Sequence, residues 1–80
     1  MDITPAYWVS EMEHAIRSLR DIDGVRIHAQ GEEIRDIHVE SSSRRPAKQI
    51  VRDIVTLLAT RFQHHIDFRV VQVALTVPSA

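Results

Sequence analysis

The chain has 80 residues, of which 44% are hydrophobic and 26% are charged, and its formal net charge is −1. A chain of this length has enough residues for one small core, so we expect a single α/β domain over residues 1–80. The nearly neutral charge argues against a general nucleic-acid binder, because such proteins depend on excess positive charge. The sequence contains no cysteine, which excludes disulfides, thiolate metal sites and thiol nucleophiles.

Neither a secretion signal nor a membrane span is predicted. Residues 1–5 lack basic and apolar signal regions, and no stretch approaches the roughly 20 apolar residues that cross a bilayer. We therefore expect a cytoplasmic protein without membrane contact. The charge is unevenly distributed, with five acidic and two basic residues in 1–23 and five basic and one acidic in 44–61. This asymmetry favours head-to-tail contact between copies, although solvated faces explain it at least as well.

The first predicted element is a helix that starts at Thr4-Pro5, because threonine caps free amide groups and proline fits the first turn. Apolar residues at helical spacing define one face of this helix: Trp8, Met12, Ala15, Ile16 and Leu19. We expect the helix to stop near Arg20, because residues 21–24 have turn chemistry. Trp8 is predicted to lie in the core, and a dimer contact through Tyr7 and Trp8 is the alternative.

Two runs of alternating apolar and polar residues, 25–30 and 34–40, predict a β-hairpin with one polar face. Matching the apolar faces pairs Ile27 with Ile37 and leaves a three-residue loop at 31–33. A slip by one residue would bury charged side chains, so this register is strongly favoured.

Residues 46–62 have the strongest helical pattern in the sequence, with Ser43 as the expected cap and Pro46 in the first turn. Residues 66–77 are rich in β-branched residues and predict the last strand. This strand is apolar on both faces, which is typical of a strand that is central, bulged or covered by a second subunit. Its predicted interface residues are Phe68, Val70, Val71, Val73 and Leu75.

The order αββαβ predicts an α+β fold, a three-stranded mixed sheet with both helices packed on one face. The second helix serves as a right-handed crossover between parallel strands. The other sheet face is polar and is expected to remain wet or to meet a partner. Three strands also leave two open edges, so we expect a homo-oligomer or a larger protein partner.

Two resemblances accompany this pattern. Gly24-Val25, the segment Asp36-Ile37-His38-Val39 and the helix 46–62 occur in an order that resembles the cytoplasmic C-terminal domain of cation diffusion facilitator transporters. That resemblance implies dimerisation and transition-metal binding through histidine and acidic side chains. The run from Ile37 to Leu75, especially residues 46–54 together with 66–69, is also similar to a small bacterial domain of unassigned function, which implies a module found in larger proteins.

The predicted hairpin brings together a candidate metal site. His28, Asp36 and His38 point outward from paired strands, where neighbouring side chains lie within roughly 5 to 8 Å of each other. Two imidazoles and a carboxylate can bind zinc or another divalent ion and leave a position open for water or for a partner's ligand. The alternative is a polar sheet face with cross-strand charge pairs.

The start of the second helix is a candidate anion site, formed by Arg44, Arg45, Lys48 and Arg52. Free amide groups and the helix dipole attract a phosphate or carboxylate there. The alternatives are a solvated basic face, or ion pairs with acidic groups of the first helix. His64-His65 diverge from each other and are expected to form a helix end.

No set of serine, histidine and acid has a recognised spacing, so no catalytic residues are predicted and the chain is not expected to be an enzyme. The leading hypothesis is a non-catalytic homodimerisation or protein-interaction module with a regulatory role. The alternative is a binding domain for a divalent metal or a phosphorylated small molecule.

Overall fold

A computed structural model describes residues 7–76. Its elements are α1 (Tyr7–Arg17), β1 (Gly24–Gln30), β2 (Glu33–Ser41), α2 (Ala47–Arg61), a 3₁₀ turn (Phe68–Val70) and β3 (Val71–Leu75). β2 is the central strand, antiparallel to β1 and parallel to β3. The predicted order αββαβ and the mixed three-stranded sheet of an α+β fold are therefore confirmed.

Both helices share one core with the inner side of the sheet. Its most deeply buried side chains are Ile16 of α1, Ile37 and Val39 of β2, and Ile50, Ile54 and Leu58 of α2. On β2 the buried residues alternate with exposed or half-buried ones, as the sequence pattern predicts. The outer side of the sheet carries polar side chains. None of the helices between residues 7 and 76 is long and apolar enough to cross a membrane.

The hairpin has the predicted register at its centre, with Ile27 opposite Ile37. The predicted three-residue loop is wrong, because a bulge after His28 pairs Ala29 with Ile34 and leaves Arg35 as the extra residue. In an unbroken register Ile34 would point to the polar face, whereas the bulge turns it into the core, where it is buried. The loop therefore shortens to Gly31 and Glu32, with Gly31 at a φ of +63°.

The ends of α1 and α2 differ from the prediction. α1 ends at Arg17, three residues early, and the Ser18 hydroxyl donates to the Ala15 carbonyl at this end. The predicted start at residues 4–5 lies outside the described residues. Pro46 has extended backbone angles and occupies the N-cap position of α2, so it precedes the first turn. Ser43 does not cap this helix, because its hydroxyl accepts a hydrogen bond from the Arg45 backbone amide instead.

β3 is shorter than the predicted strand over residues 66–77. Asp67 accepts a hydrogen bond from the Arg69 amide at 2.9 Å, and this contact fixes a 3₁₀ turn where the sequence pattern predicts extended chain. Within the described residues β3 pairs only with β2 and lies at the edge of the sheet. Of the three alternatives for an apolar strand, a central position is therefore wrong. Its open edge remains available to a partner.

Candidate functional site

The three residues of the predicted metal site lie together on the outer face of the hairpin. His28 of β1 is directly opposite Asp36 of β2, and His38 follows Asp36 by two residues on the same face. The bulge begins immediately after His28, so the regular pairing extends through the site. Both imidazole side chains are about half exposed, at 53% and 48%, and the Asp36 side chain is one-third exposed.

One oxygen of Asp36 is the centre of this cluster. Asp36 Oδ1 lies 3.2 Å from His28 Nδ1 and 2.8 Å from His38 Nε2. The two rings are inclined to each other by 58°, with their centroids 5.4 Å apart. One nitrogen of each ring and the carboxylate oxygen all lie within 4.8 Å of one another. Three atoms that can bind a metal therefore converge at one point on the sheet.

Asp36 Oδ1 is buried, yet it accepts no hydrogen bond from the described part of the chain. The two nitrogen atoms lie at ion-pair distances from this oxygen. Buried polar oxygens are normally hydrogen-bonded, so an oxygen without such a bond requires an explanation. A bound cation at this position would satisfy the oxygen.

Two of the three separations are close to those of atoms that share one metal ion. In a tetrahedral zinc site with metal–ligand bonds of about 2.05 Å, two ligand atoms lie about 3.3 Å apart. The lone pairs of both ligand atoms point at the metal ion and not at each other. The two contacts of Asp36 Oδ1, at 3.2 and 2.8 Å, are within about 0.5 Å of this distance. The two imidazole nitrogens have to approach each other, and their exposed rings have room to rotate. The residues present therefore fit a divalent transition metal.

A shallow depression of about 500 Å³ borders the cluster on the same face. Both imidazoles line it, together with Arg26 and the Glu40 carboxylate. Gly24 lies opposite Glu40, and a Cβ at Gly24 would come within 3.0 Å of Glu40 Oε1. One positive and one negative side chain thus flank the depression, and a ligand placed in it has access to both imidazoles.

The predicted anion site is not assembled at the start of α2. Arg45 forms ion pairs with Asp21, which follows α1, and, at 2.8 Å, with Asp53 of α2, so neither partner is an acidic group of the first helix. The hydrogen bond from Arg45 holds the pKa of the Asp21 carboxyl below its usual range. Lys48 and Arg52 line a groove on the other side of α2, which Arg44 and Arg45 do not reach. The structure therefore does not bring the four predicted residues together in one anion site, and that expectation is wrong.

The five predicted interface residues do not form one exposed surface. Val71 is buried in the core, so it has no surface to offer a partner. Val70 and Val73 are half buried and pack against the core. Only Phe68 and Leu75 are exposed, at 67% and 47%.

Trp8 is half buried against the core, which agrees with its predicted position, while Tyr7 is exposed. The Trp8 ring stacks on His64, with centroids 5.6 Å apart and an interplanar angle of 20°. This contact gives the histidine at the end of α2 a packing role.

Two features were missed at the level of sequence. The buried Ser41 hydroxyl donates to the Asp21 carbonyl and ties the end of β2 to the segment after α1. The groove beside α2 was also missed, although its signal is present in the four-residue spacing of Lys48 and Arg52 and of Val51 and Val55. Both features depend on segments that only the folded chain brings together.

Comparisons of the chain with protein-family models, with curated proteins and with solved structures find no match. The resemblance to the C-terminal domain of cation diffusion facilitators therefore stays a prediction.

Proposed function

We propose that this domain is a non-catalytic binding module that holds a divalent transition metal ion, specifically zinc, between His28, Asp36 and His38. The observation that carries the proposal is the state of Asp36 Oδ1. This oxygen is buried, has no hydrogen-bond partner among the described residues, and lies at ligand-like distances from two imidazole nitrogens.

The chemistry of the three side chains supports a metal site. Two imidazole nitrogens and one buried carboxylate oxygen lie within 4.8 Å of one another on one face of the hairpin. The donor set of two imidazoles and one carboxylate suits zinc, and three protein ligands leave a coordination position for water or for a group of a partner.

The exposure of the site supports a binding role without catalysis. Both imidazoles are about half exposed on an open sheet face. Catalytic zinc sites use a shaped cavity that excludes water and orients the substrate, because electrostatic stabilisation is weak in an open aqueous site. The neighbouring depression is shallow and accessible, which suits the approach of another protein or a small ligand.

Isothermal titration with zinc chloride tests this function. We expect one ion per chain, and we expect His28→Ala and His38→Ala each to weaken binding by at least about tenfold, or about 1.4 kcal/mol. His14→Ala is the matched control, because this exposed imidazole lies on α1, the element that covers the opposite face of the sheet. Unchanged binding in both site variants, or an equal loss in the control, would contradict the proposal.

Self-association through β3 is a second candidate function. The observation that favours it is the outer edge of β3, which pairs with no strand between residues 7 and 76 and where Leu75 remains 47% exposed. Two copies paired at this edge would form a continuous sheet and cover Leu75. Such a dimer would make the domain an assembly module with a regulatory or scaffolding role.

Light scattering coupled to size-exclusion chromatography tests the second candidate. We expect a dimer at high protein concentration that Leu75→Glu converts to a monomer. Gln49→Glu adds the same charge at an exposed position on α2 and is expected to leave the dimer intact. A wild-type protein that remains monomeric at millimolar concentration would exclude this function.

A further inference from the structure

A groove of about 580 Å³ lies between α2 and the 3₁₀ turn that precedes β3, away from the histidine cluster. Its floor is apolar and is formed mainly by Val51 and Val55 of α2 and by Phe68 of the turn. The volume is in the usual range for a site that accepts a small molecule. Phe68 is 67% exposed, so a ligand in the groove would cover an aromatic ring that is otherwise in water.

The rim of the groove is positively charged. Lys48 and Arg52 line it, and neither forms an ion pair with any residue between 7 and 76. Arg69 also lines the groove, but its guanidinium is paired with Asp67 at 3.2 Å. No acidic residue of the described part of the chain contributes to the lining. Among residues 7–76, these two cations therefore have no counter-charge.

The spacing of the two free cations suits a single anionic group. Lys48 and Arg52 are four residues apart on α2, so they lie on the same face of the helix with Cβ atoms about 5 to 6 Å apart. Side chains of this length can close on one phosphate, and the guanidinium can bind two of its oxygens at once. The apolar floor lies beside them, because Val51 and Val55 have the same four-residue spacing.

We propose that this groove binds a small amphipathic anion, with its apolar part on Val51, Val55 and Phe68 and its phosphate or carboxylate between Lys48 and Arg52. An anionic head group supplies the counter-charge that the residues between 7 and 76 do not provide to these two cations. The groove is independent of the zinc site, which lies on the opposite side of the sheet.

Titration of the ¹⁵N-labelled protein by NMR tests this proposal with three matched compounds. Octyl phosphate contains both parts of the ligand, octanol contains only the tail, and inorganic phosphate contains only the head group. We expect octyl phosphate to shift the amide signals of residues 48–56 and 68–71. We expect octanol and inorganic phosphate each to bind at least about tenfold more weakly.

Variants localise the binding within the same experiment. The double variant Lys48→Gln with Arg52→Gln is expected to weaken octyl phosphate binding at least about tenfold, whereas Arg44→Gln, at an exposed arginine outside the groove, leaves it unchanged. The spectrum of each variant reports directly whether it is folded. His28→Ala is expected to bind octyl phosphate normally, which separates this proposal from the zinc site. Equal binding of octanol and octyl phosphate, or an undiminished affinity in the folded double variant, would overturn the proposal.

Discussion

Asp36 and Glu40 are both carboxylates on the outer face of β2, but their surroundings differ. Glu40 extends over Gly24 in an exposed position, whereas one oxygen of Asp36 is enclosed by His28 and His38. The alternation of the two strands made this group of three residues predictable, because outward residues in register must be neighbours. The burial of Asp36 Oδ1 between the two rings could not be predicted, since it depends on side-chain torsions that the sequence pattern does not encode.

Replacing Asp36 by asparagine distinguishes a role of Asp36 as a metal ligand from a role in a structural ion pair. We expect Asp36→Asn to reduce zinc affinity at least about tenfold, because the neutral amide oxygen is a much weaker ligand. We expect the metal-free variant to change in stability by less than about 1 kcal/mol, since partly exposed ion pairs contribute little. Titration calorimetry and urea unfolding measure the two effects. A large loss of stability with unchanged zinc affinity would show that Asp36 has only a structural role.

Asp21 makes the stability of the domain sensitive to acid. Arg45 lowers the pKa of Asp21 in the folded chain from the usual value of 3.8, so the unfolded chain binds a proton more readily. The stabilisation is complete above the unfolded-state pKa and is lost as the pH falls through the lower folded-state pKa. We therefore expect Asp21→Asn to be less stable than the wild type at neutral pH, with the difference shrinking below about pH 4.

Urea unfolding across this pH range checks the prediction for Asp21. Glu32→Gln is a suitable control, because Glu32 lies exposed in the hairpin loop and has no ion pair among the described residues. A difference between wild type and Asp21→Asn that stays constant as the pH falls would contradict the assigned role of Arg45.

At the level of elements, hydrophobic periodicity predicted the two helices, the hairpin and its central register. It failed where a local contact overrides the pattern. The bulge turns Ile34 inward, and the Asp67 side chain replaces the start of the last strand by a turn. Both changes depend on a single residue or hydrogen bond, and an alternating pattern cannot show them. The separation of Arg45 from Lys48 and Arg52 likewise depends on the position of Asp21 after α1.

The two-residue hairpin loop leads to a prediction at Gly31. Its φ of +63° is unfavourable for residues with a Cβ, and a Cβ there would have no neighbour within 4 Å to compensate. We expect Gly31→Ala to cost about 1 kcal/mol and to lower the melting temperature by roughly 4 to 8 °C. Glu32→Ala at the next position is the control. Equal melting temperatures for Gly31→Ala and the wild type would contradict a two-residue loop with Gly31 at positive φ.

Over the whole molecule, the fold assigns different properties to the two sides of one small sheet. The inner side and both helices form the core, which leaves the outer face free for the histidine cluster. The groove lies beside α2, at the edge of the core. The two candidate sites therefore share no residue and can be tested separately. Binding at one does not require contact with residues of the other.

Zinc binding by the two imidazoles is measured most directly by an NMR spectrum that correlates the imidazole nitrogens with their ring protons, recorded as zinc is added. We expect large shifts of one ring nitrogen each in His28 and His38 as one equivalent of zinc binds, with His14 and His65 unchanged. If His28 and His38 keep their signals while zinc is present in excess, the outer sheet face is not a metal site.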